Sequence, residues 1–359
     1  MSSMHENSSR RKTVVGVDTH KHVHVAVVLD GLGAKLDARG FPADAAGYRQ
    51  LAAWAESFGE GPVFGVEGTG SYGAGLASAL RLRGLEVMEV GRPDRRVRRL
   101  RGKSDETDVE AAARAVLAGT AAGTAKSADG AVEMVRTVKA AKDGAVKART
   151  AAMVGLKQVL VNAPAELREQ LQPLTKMALM RRCAALRPGP LSDPASAVKH
   201  SLKAIARRWL VLDEEAKEHE KTLAEITARH APGMVAAHGF GPDTVAELLV
   251  VVGDNPERIR SEAALAKLCG ACPIPASSGK TTRHRLNRGG CRKANAALHR
   301  VVITRLRGHR PTQAYMAKRL AEGKTKREIV RCLKRHLIRE IWQHIKPLRD
   351  HPGALHAIA

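Results

Sequence analysis

Aromatic side chains are scarce in this 359-residue chain: four Phe, three Tyr and three Trp, 3% of the whole. Stacking of single-stranded bases on a platform of rings is therefore not its main way of holding a polymer. Cysteine is sparse and odd in number, at Cys183, Cys269, Cys272, Cys291 and Cys332, which excludes a disulfide-framed scaffold. No run approaches the roughly 20 apolar residues of a spanning helix, so no membrane role is expected. The opening MSSMHENSSRRK lacks the apolar core of a signal peptide. A cytoplasmic bacterial protein, nucleoid-associated when acting, is the expectation. Acidic residues are outnumbered, 36 against 60 Lys and Arg, for a net charge of +24. Such a balance opposes self-association and attracts polyanions, so nucleic acid is the natural partner, gripped mainly through its phosphates. With 44% hydrophobic residues the chain has core enough for two or three domains.

Against that basic background stand acids in a telling order. From residue 13 the runs TVVGVD, HVHVAVVLD and AKLDARGF read as three consecutive strands joined by short turns. A helix follows from an N-cap at Asp44 to about residue 57, then a strand over 62–67, a helix over 72–82 and a strand over 85–90. With the alanine-rich helix after GKSDETDVEAA the order becomes β, β, β, α, β, α, β, α, the order of a ribonuclease H-like mixed sheet. Asp18 ends the first strand, Glu67 ends the fourth, and Asp105 and Asp108 open the helix at i, i+3 spacing. Together they form a set of oxygen donors suited to hard divalent cations, Mg²⁺ or equally Mn²⁺. The plain alternative, acids favouring a helix N-terminus, accounts for Asp105 and Asp108 but not for Asp18 or Glu67.

Immediately before the acid pair, RPDRRVRRLRGK crowds Arg95, Arg96, Arg98, Arg99, Arg101 and Lys103 together. Such a run is usually a solvated face; beside a metal site it would offset backbone phosphate charge, without regard to base sequence.

The fold expected overall is α/β plus all-α: a ribonuclease H-like domain over 12–125, a helical spacer over 126–231 and a mainly helical domain over 232–350. In the spacer Leu202, Ile205, Trp209, Leu212, Ala216, His219, Leu223 and Ile226 recur at spacings of three and four. That seam suits either an intramolecular hairpin or a coiled coil between protomers. HGFGPDTVAELLVVVGD resembles the start of a helix-hairpin-helix element, or a plain turn between packed helices. The CxxC of Cys269 and Cys272, with His284 and Cys291 downstream, suits either zinc or packing at a helix end. An amphipathic helix is expected over 324–345. The loop ASSG is followed by Lys280, Arg283, Arg285, Arg288, Arg292 and Lys293, a second candidate nucleic-acid surface. By chemistry alone Ser278 reads as a turn residue, since a serine hydroxyl needs a base, a metal or dense positive charge to attack phosphorus.

GVDTHK, VEGTG and KSDETD, followed by GFG and GACPIPASSG, resemble transposases of the insertion sequence 110 family across roughly residues 14–337. The resemblance implies a RuvC-like domain whose Asp-Glu-Asp-Asp tetrad falls on Asp18, Glu67, Asp105 and Asp108. It also implies a nucleophilic serine directly before glycine, which falls on Ser278 through Gly270, Pro273 and Gly279. IPAS between Pro273 and Ser278 departs from the basic or aromatic character that would bring closer DNA contact. DNA recombination, a dimer or tetramer with a site composed across protomers and, in some members, a guide RNA encoded by the element follow as further expectations. Two other classes remain beside it: a RuvC-like junction endonuclease with water as nucleophile, and a non-catalytic nucleic-acid-binding protein.

Overall fold

The computed structural model describes residues 13–91, 105–121, 123–279 and 284–350, and only the backbone of 105–108. The chain divides into two compact units, one from the described parts of Met1–Gly130 and Arg349–Ala359 with Gly253–Arg260, the other from Ala131–Val252 with Ser261–Leu348.

The first unit is built from β1 (Val14–Thr19), β2 (Val23–Leu29), β3 (Lys35–Pro42), α1 (Ala45–Glu56), β4 (Val63–Glu67), α2 (Ala74–Leu82), β5 (Glu86–Val90), α3 (Asp105–Leu117) and β6 (Gly123–Thr124). Its sheet has the order β3-β2-β1-β4-β5-β6, with β4 parallel to β1 and to β5, and the other pairs antiparallel. This is the mixed RuvC-like, ribonuclease H-like sheet that the sequence order implied. The short edge strand β6, only two residues long, carries no periodic signal and was not expected from the sequence. Asp44 caps α1 as expected, accepting a hydrogen bond from the Gly47 amide at 2.8 Å.

Strand alternation divides the apolar residues between two layers. Val15, Val17, Phe64 and Val66 face α1 and α2, where Leu51, Leu76 and Leu80 are fully buried. Val14, Val27 and Leu29 face the other way, onto Val109 and Ala113 of α3. Gly16 and Gly65 oppose each other in the β1–β4 ladder on this second face. A Cβ at Gly16 would lie 2.1 Å from the Val109 carbonyl oxygen and 2.7 Å from the Ala113 nitrogen. One at Gly65 would lie 2.6 Å from Val116 Cγ2 and 3.1 Å from the Ala112 carbonyl oxygen. The helix therefore rests with its backbone almost on the strands, as only glycine permits.

In the second unit, α4 (Ala131–Val161) and α7 (Pro194–His230) form a long antiparallel hairpin, with α5 (Ala165–Leu171) and α6 (Lys176–Ala184) in the proline-containing connection. Leu156 and Leu160 pack with Leu202 and Trp209 at one end, and Val135 packs with Leu223 at the other. The seam residues Leu202, Trp209, Ala216 and Leu223 are each at most 3% exposed, so α7 spends its heptad stripe largely within its own chain, on α4. Asp193 and Ser196 close a capping box at the start of α7.

The unit continues through α8 (Pro232–Ala236), α9 (Pro242–Val252), α10 (Glu262–Leu268), β7 (Ile274–Pro275), β8 (His284–Arg285), α11 (Arg292–Gly308), α12 (Arg310–Ala321) and α13 (Lys326–Asp350). The expected last amphipathic helix is α13, which buries Ile329, Leu333, Leu337, Ile338, Ile341 and Ile345. The GFG turn packs inward: Gly239 has φ +86, and the Arg305 Nε donates to the His238 carbonyl at 2.7 Å. It joins α8 to α9. Cations and acids interlock between α4, α9 and α11. Lys139 Nζ lies 3.0 Å from Asp243, 3.2 Å from Asp143 and 3.3 Å from Glu247, and Lys293 Nζ lies 2.7 Å from Asp143.

Gly16→Ala tests the helix–sheet contact. The new methyl has to displace helix backbone, so a loss of about 1–3 kcal/mol is expected in chemical denaturation, in the range of overpacked cores. A Gly84→Ala control, at a loop glycine with φ +77 and no atom within 4 Å of its Cβ position, reports backbone strain without a packing clash.

Candidate active site

Asp18 and Glu67 continue the register that pairs Val17 with Val66, and both follow a glycine by two residues. They therefore project from the α3 face at neighbouring strand ends, with Cα atoms about 4.8 Å apart by ordinary strand spacing. The Thr19 hydroxyl donates to the Glu67 carbonyl at 2.8 Å and ties the two strand ends together. Asp18 is accessible but recessed, its side chain 17% exposed, and its Oδ2 lies 3.1 Å from His20 Nε2.

The helix has a definite direction over this face. Its last turn lies by the β2–β3 turn, where a Cβ at Gly33 would be 3.3 Å from Leu117 Cδ2. That turn adjoins the start of β1, since Val14 pairs with Leu29. The first turn of α3 accordingly points toward the strand ends that carry Asp18 and Glu67. Positions 105 and 108 precede Val109 and Ala112 by one turn on the same stripe of the helix. The fold thus assembles Asp18 with Glu67 and directs the helix start toward them; the side chains of Asp105 and Asp108 lie outside the described residues. Among the described residues no three His, Cys, Asp or Glu side chains gather as a metal site.

Ser278 belongs to the second unit. It is exposed on the connection between β7 and β8, which pair through Ile274–Arg285 and Pro275–His284. The base of this hairpin is pinned: Asn295 Nδ2 donates to the Cys269 and Gly270 carbonyls, each at 3.0 Å. A Cβ at Gly290 would lie 2.2 Å from the Gly270 nitrogen, so these two backbones touch. Gly270 itself has φ +63.

Arg285, Arg288 and Arg292 are exposed on and after the hairpin, whereas Lys293 is engaged with Asp143. Lys280 and Arg283 lie outside the described residues, as do Arg95, Arg96, Arg98, Arg99, Arg101 and Lys103. Cys269 is buried at the end of α10, its thiol pushed up to about 12 by burial and by Cys291. Cys272 accepts a hydrogen bond from Asn287 Nδ2 at 3.0 Å.

Two family models match the chain: one of DEDD transposases of the IS110 type, described as Transposase, over residues 15–163, and one described as Transposase IS116/IS110/IS902 family over residues 236–317. The chain belongs to the IS110 family of transposases. The 42 kDa protein of insertion element IS900 from Mycobacterium paratuberculosis is 26% identical over 150 residues, covering 41% of this chain and 37% of that relative. The matched stretch of the relative is thus little more than a third of its length.

The first of these IS110-family regions contains all four acids, and the second contains Ser278. Sequence reasoning missed the seats of the helix, Gly16 and Gly65, though GVD and GVE both display a glycine two residues before the acid. It also missed the imidazoles in THKHVH. His24, fully buried against Tyr48, has neither ring nitrogen hydrogen-bonded. Burial first, and then His20, push its pKa below the ordinary 6.5, with Asp18 opposing.

A histidine held neutral by folding makes the native state sensitive to acid. The unfolded chain takes up a proton near pH 6.5 that the folded chain resists, so stability is lost as pH falls below about 6.5 until the lowered folded value is reached. His24→Phe, which keeps a flat ring beside Tyr48, is expected to flatten this decline between pH 7 and 5, measured by urea titration at each pH. An unchanged pH profile would sink the assignment.

Proposed function

We propose that this chain is a DNA transposase that cuts and rejoins DNA, with Asp18, Glu67, Asp105 and Asp108 holding divalent cations and Ser278 as nucleophile. The observation that carries the reading is the order of the matched family regions, the first containing the acids and the second the serine hairpin. In support, oxygen donors from two adjacent strand ends and the start of one helix form a donor set that fits Mg²⁺ or Mn²⁺. When bound there, such ions supply charge neutralisation and polarise the oxygens around a reacting phosphorus.

The chain's own groups have separable tasks. Gly16 and Gly65 let α3 lie close enough for its first turn to share the strand-end face with Asp18 and Glu67. The hairpin presents Ser278 at an exposed position, where a bulky duplex can reach the hydroxyl. Attack forms a bond from Ser278 Oγ to phosphorus as a bridging phosphorus–oxygen bond breaks. The freed strand leaves as a hydroxyl and carries away the serine proton, and reversal onto another strand end rejoins the DNA. Exposed Arg285, Arg288 and Arg292 lie near in sequence and offset phosphate charge. The basic run over 95–103 is proposed to do the same beside the acids.

We further read the chain as three functional parts, 12–125, 126–231 and 232–350, with the helical hairpin as the spacer between chemistry-bearing ends. A dimer or tetramer and an element-encoded guide RNA belong to this reading as partners.

Ser278→Ala is expected to abolish strand joining and the covalent protein–DNA adduct, read on denaturing gels with element-end DNA and Mg²⁺, while duplex binding persists. Asp18→Asn is expected to abolish cutting and joining alike. Full joining by Ser278→Ala would instead point to water as nucleophile, the junction-endonuclease chemistry. Adduct formation in the absence of any divalent cation would remove the metal from the reading.

A further inference from the structure

The second unit has an open cavity of about 380 Å³ between the CxxC loop, the β7–β8 hairpin and α13. Arg285, Lys324, Arg331 and Lys334 bring positive charge to its walls, and Glu328 is the one carboxylate among its described lining residues. That carboxylate is spent on capping α13, accepting from the Thr325 amide at 2.9 Å and from its hydroxyl at 2.7 Å. Arg335 and Arg339 also line the cavity but turn to Glu262.

Lys334 stands apart from the other cations of this unit. It is only 8% exposed, yet no acid of the described residues lies within ion-pair distance of it. Among the described residues its Nζ makes one hydrogen bond, to Asn295 Oδ1 at 2.7 Å, although an ammonium carries three donors. Asn295 is itself locked, because its amide is committed to the Cys269 and Gly270 carbonyls and leaves only the oxygen to face the lysine. Burial pushes the Lys334 pKa down with no carboxylate to oppose it. The contrast is Lys139, equally buried, which is surrounded by Asp143, Asp243 and Glu247. Leaving a desolvated ammonium without a counter-charge is costly, and the cost is removed when an anion enters.

We infer that this cavity is a phosphate-binding pocket, in which Lys334 receives a backbone phosphodiester of the DNA strand drawn along the serine hairpin. The pocket and the hairpin share one frame: Asn295 grips Cys269 and Gly270, from which the strand toward Ser278 departs, and presents its oxygen to Lys334. This rests on the reading that the second unit handles DNA, and not on Ser278 being the nucleophile.

The experiment measures binding of the full chain to a non-specific DNA duplex by fluorescence anisotropy over a series of salt concentrations, for wild type, Lys334→Met and Ser278→Ala. Without the Lys334 ammonium to neutralise one phosphate, the slope of log K against log salt becomes shallower by about one and binding weakens several-fold at low salt. Because methionine retains the packed stem and removes the uncompensated charge, the melting temperature in chloride buffer should stay level or rise. An unchanged slope overturns the pocket, and so does a fall in melting temperature, which would make Lys334 a structural cation. Structured RNA is titrated in parallel: a slope change confined to RNA also overturns the assignment to DNA. Ser278→Ala should keep the wild-type slope. If Lys334→Met behaves as expected while Ser278→Ala still joins strands, the pocket stands and the serine chemistry fails; the opposite pair of results fails the pocket alone.

Discussion

The distance of closest approach between α3 and the sheet governs the amino-terminal unit, and two missing side chains set it. At Gly16 and Gly65 the helix backbone occupies the volume that a methyl group would need. Small or β-branched residues on the helix, Val109, Ala112, Ala113 and Val116, meet those glycines at i, i+3, i+4 and i+7 spacing. Everything downstream of that contact inherits its geometry. Seated on Gly16 and Gly65, with its last turn by Gly33, the helix directs its first turn toward the ends of β1 and β4. A carboxylate pair at the start of a helix is ordinary in sequence; here the helix that opens with one is held tightly against the sheet that carries Asp18 and Glu67.

The carboxy-terminal unit solves a different problem, how to fold with so much positive charge. Its answer between α4, α9 and α11 is to pair cations with acids: the buried Lys139 and Lys142 and the more exposed Lys293 and Arg300 meet Asp143, Asp243 and Glu247. Arg305 is likewise satisfied, bidentate on Glu340 at 2.6 Å and 2.8 Å while stacking over Phe240. These cations are used up in holding helices together. Lys334 is the exception, and an exception of this sign matters in a polyanion-binding protein. A buried titratable group without a charge partner marks a candidate functional site.

The two units divide the labour of the proposed chemistry. Two of the acids come from a sheet whose strand ends are fixed by ladder hydrogen bonds and two from the start of α3, a support that suits a site that has to hold ions in place. The serine comes from an exposed two-stranded hairpin whose base, not its tip, is anchored by Asn295 and the Gly270–Gly290 contact. Rigid support below an accessible tip suits a nucleophile that has to meet a large, charged polymer.

Much of this was legible in the residues alone. Apolar alternation, the N-cap at Asp44 and the order of strands and helices specified the mixed sheet, because side-chain period and turn chemistry are local properties. The positions of Asp18 and Glu67 at strand ends followed from the same pattern, and the family resemblance singled out Ser278. What the linear pattern left open was partnership. The seam of α7 had two possible mates, and only the fold shows Leu202, Trp209, Ala216 and Leu223 taken up by α4 of the same chain. Lys293 and Lys334 are indistinguishable as letters in basic helices; tertiary packing put one against Asp143 and left the other with an amide oxygen. Gly16 and Gly65 looked like strand glycines until a helix was found resting on them. Local chemistry determines which elements form, whereas clearance and charge compensation depend on groups distant in the chain, and those exist only once the elements have packed.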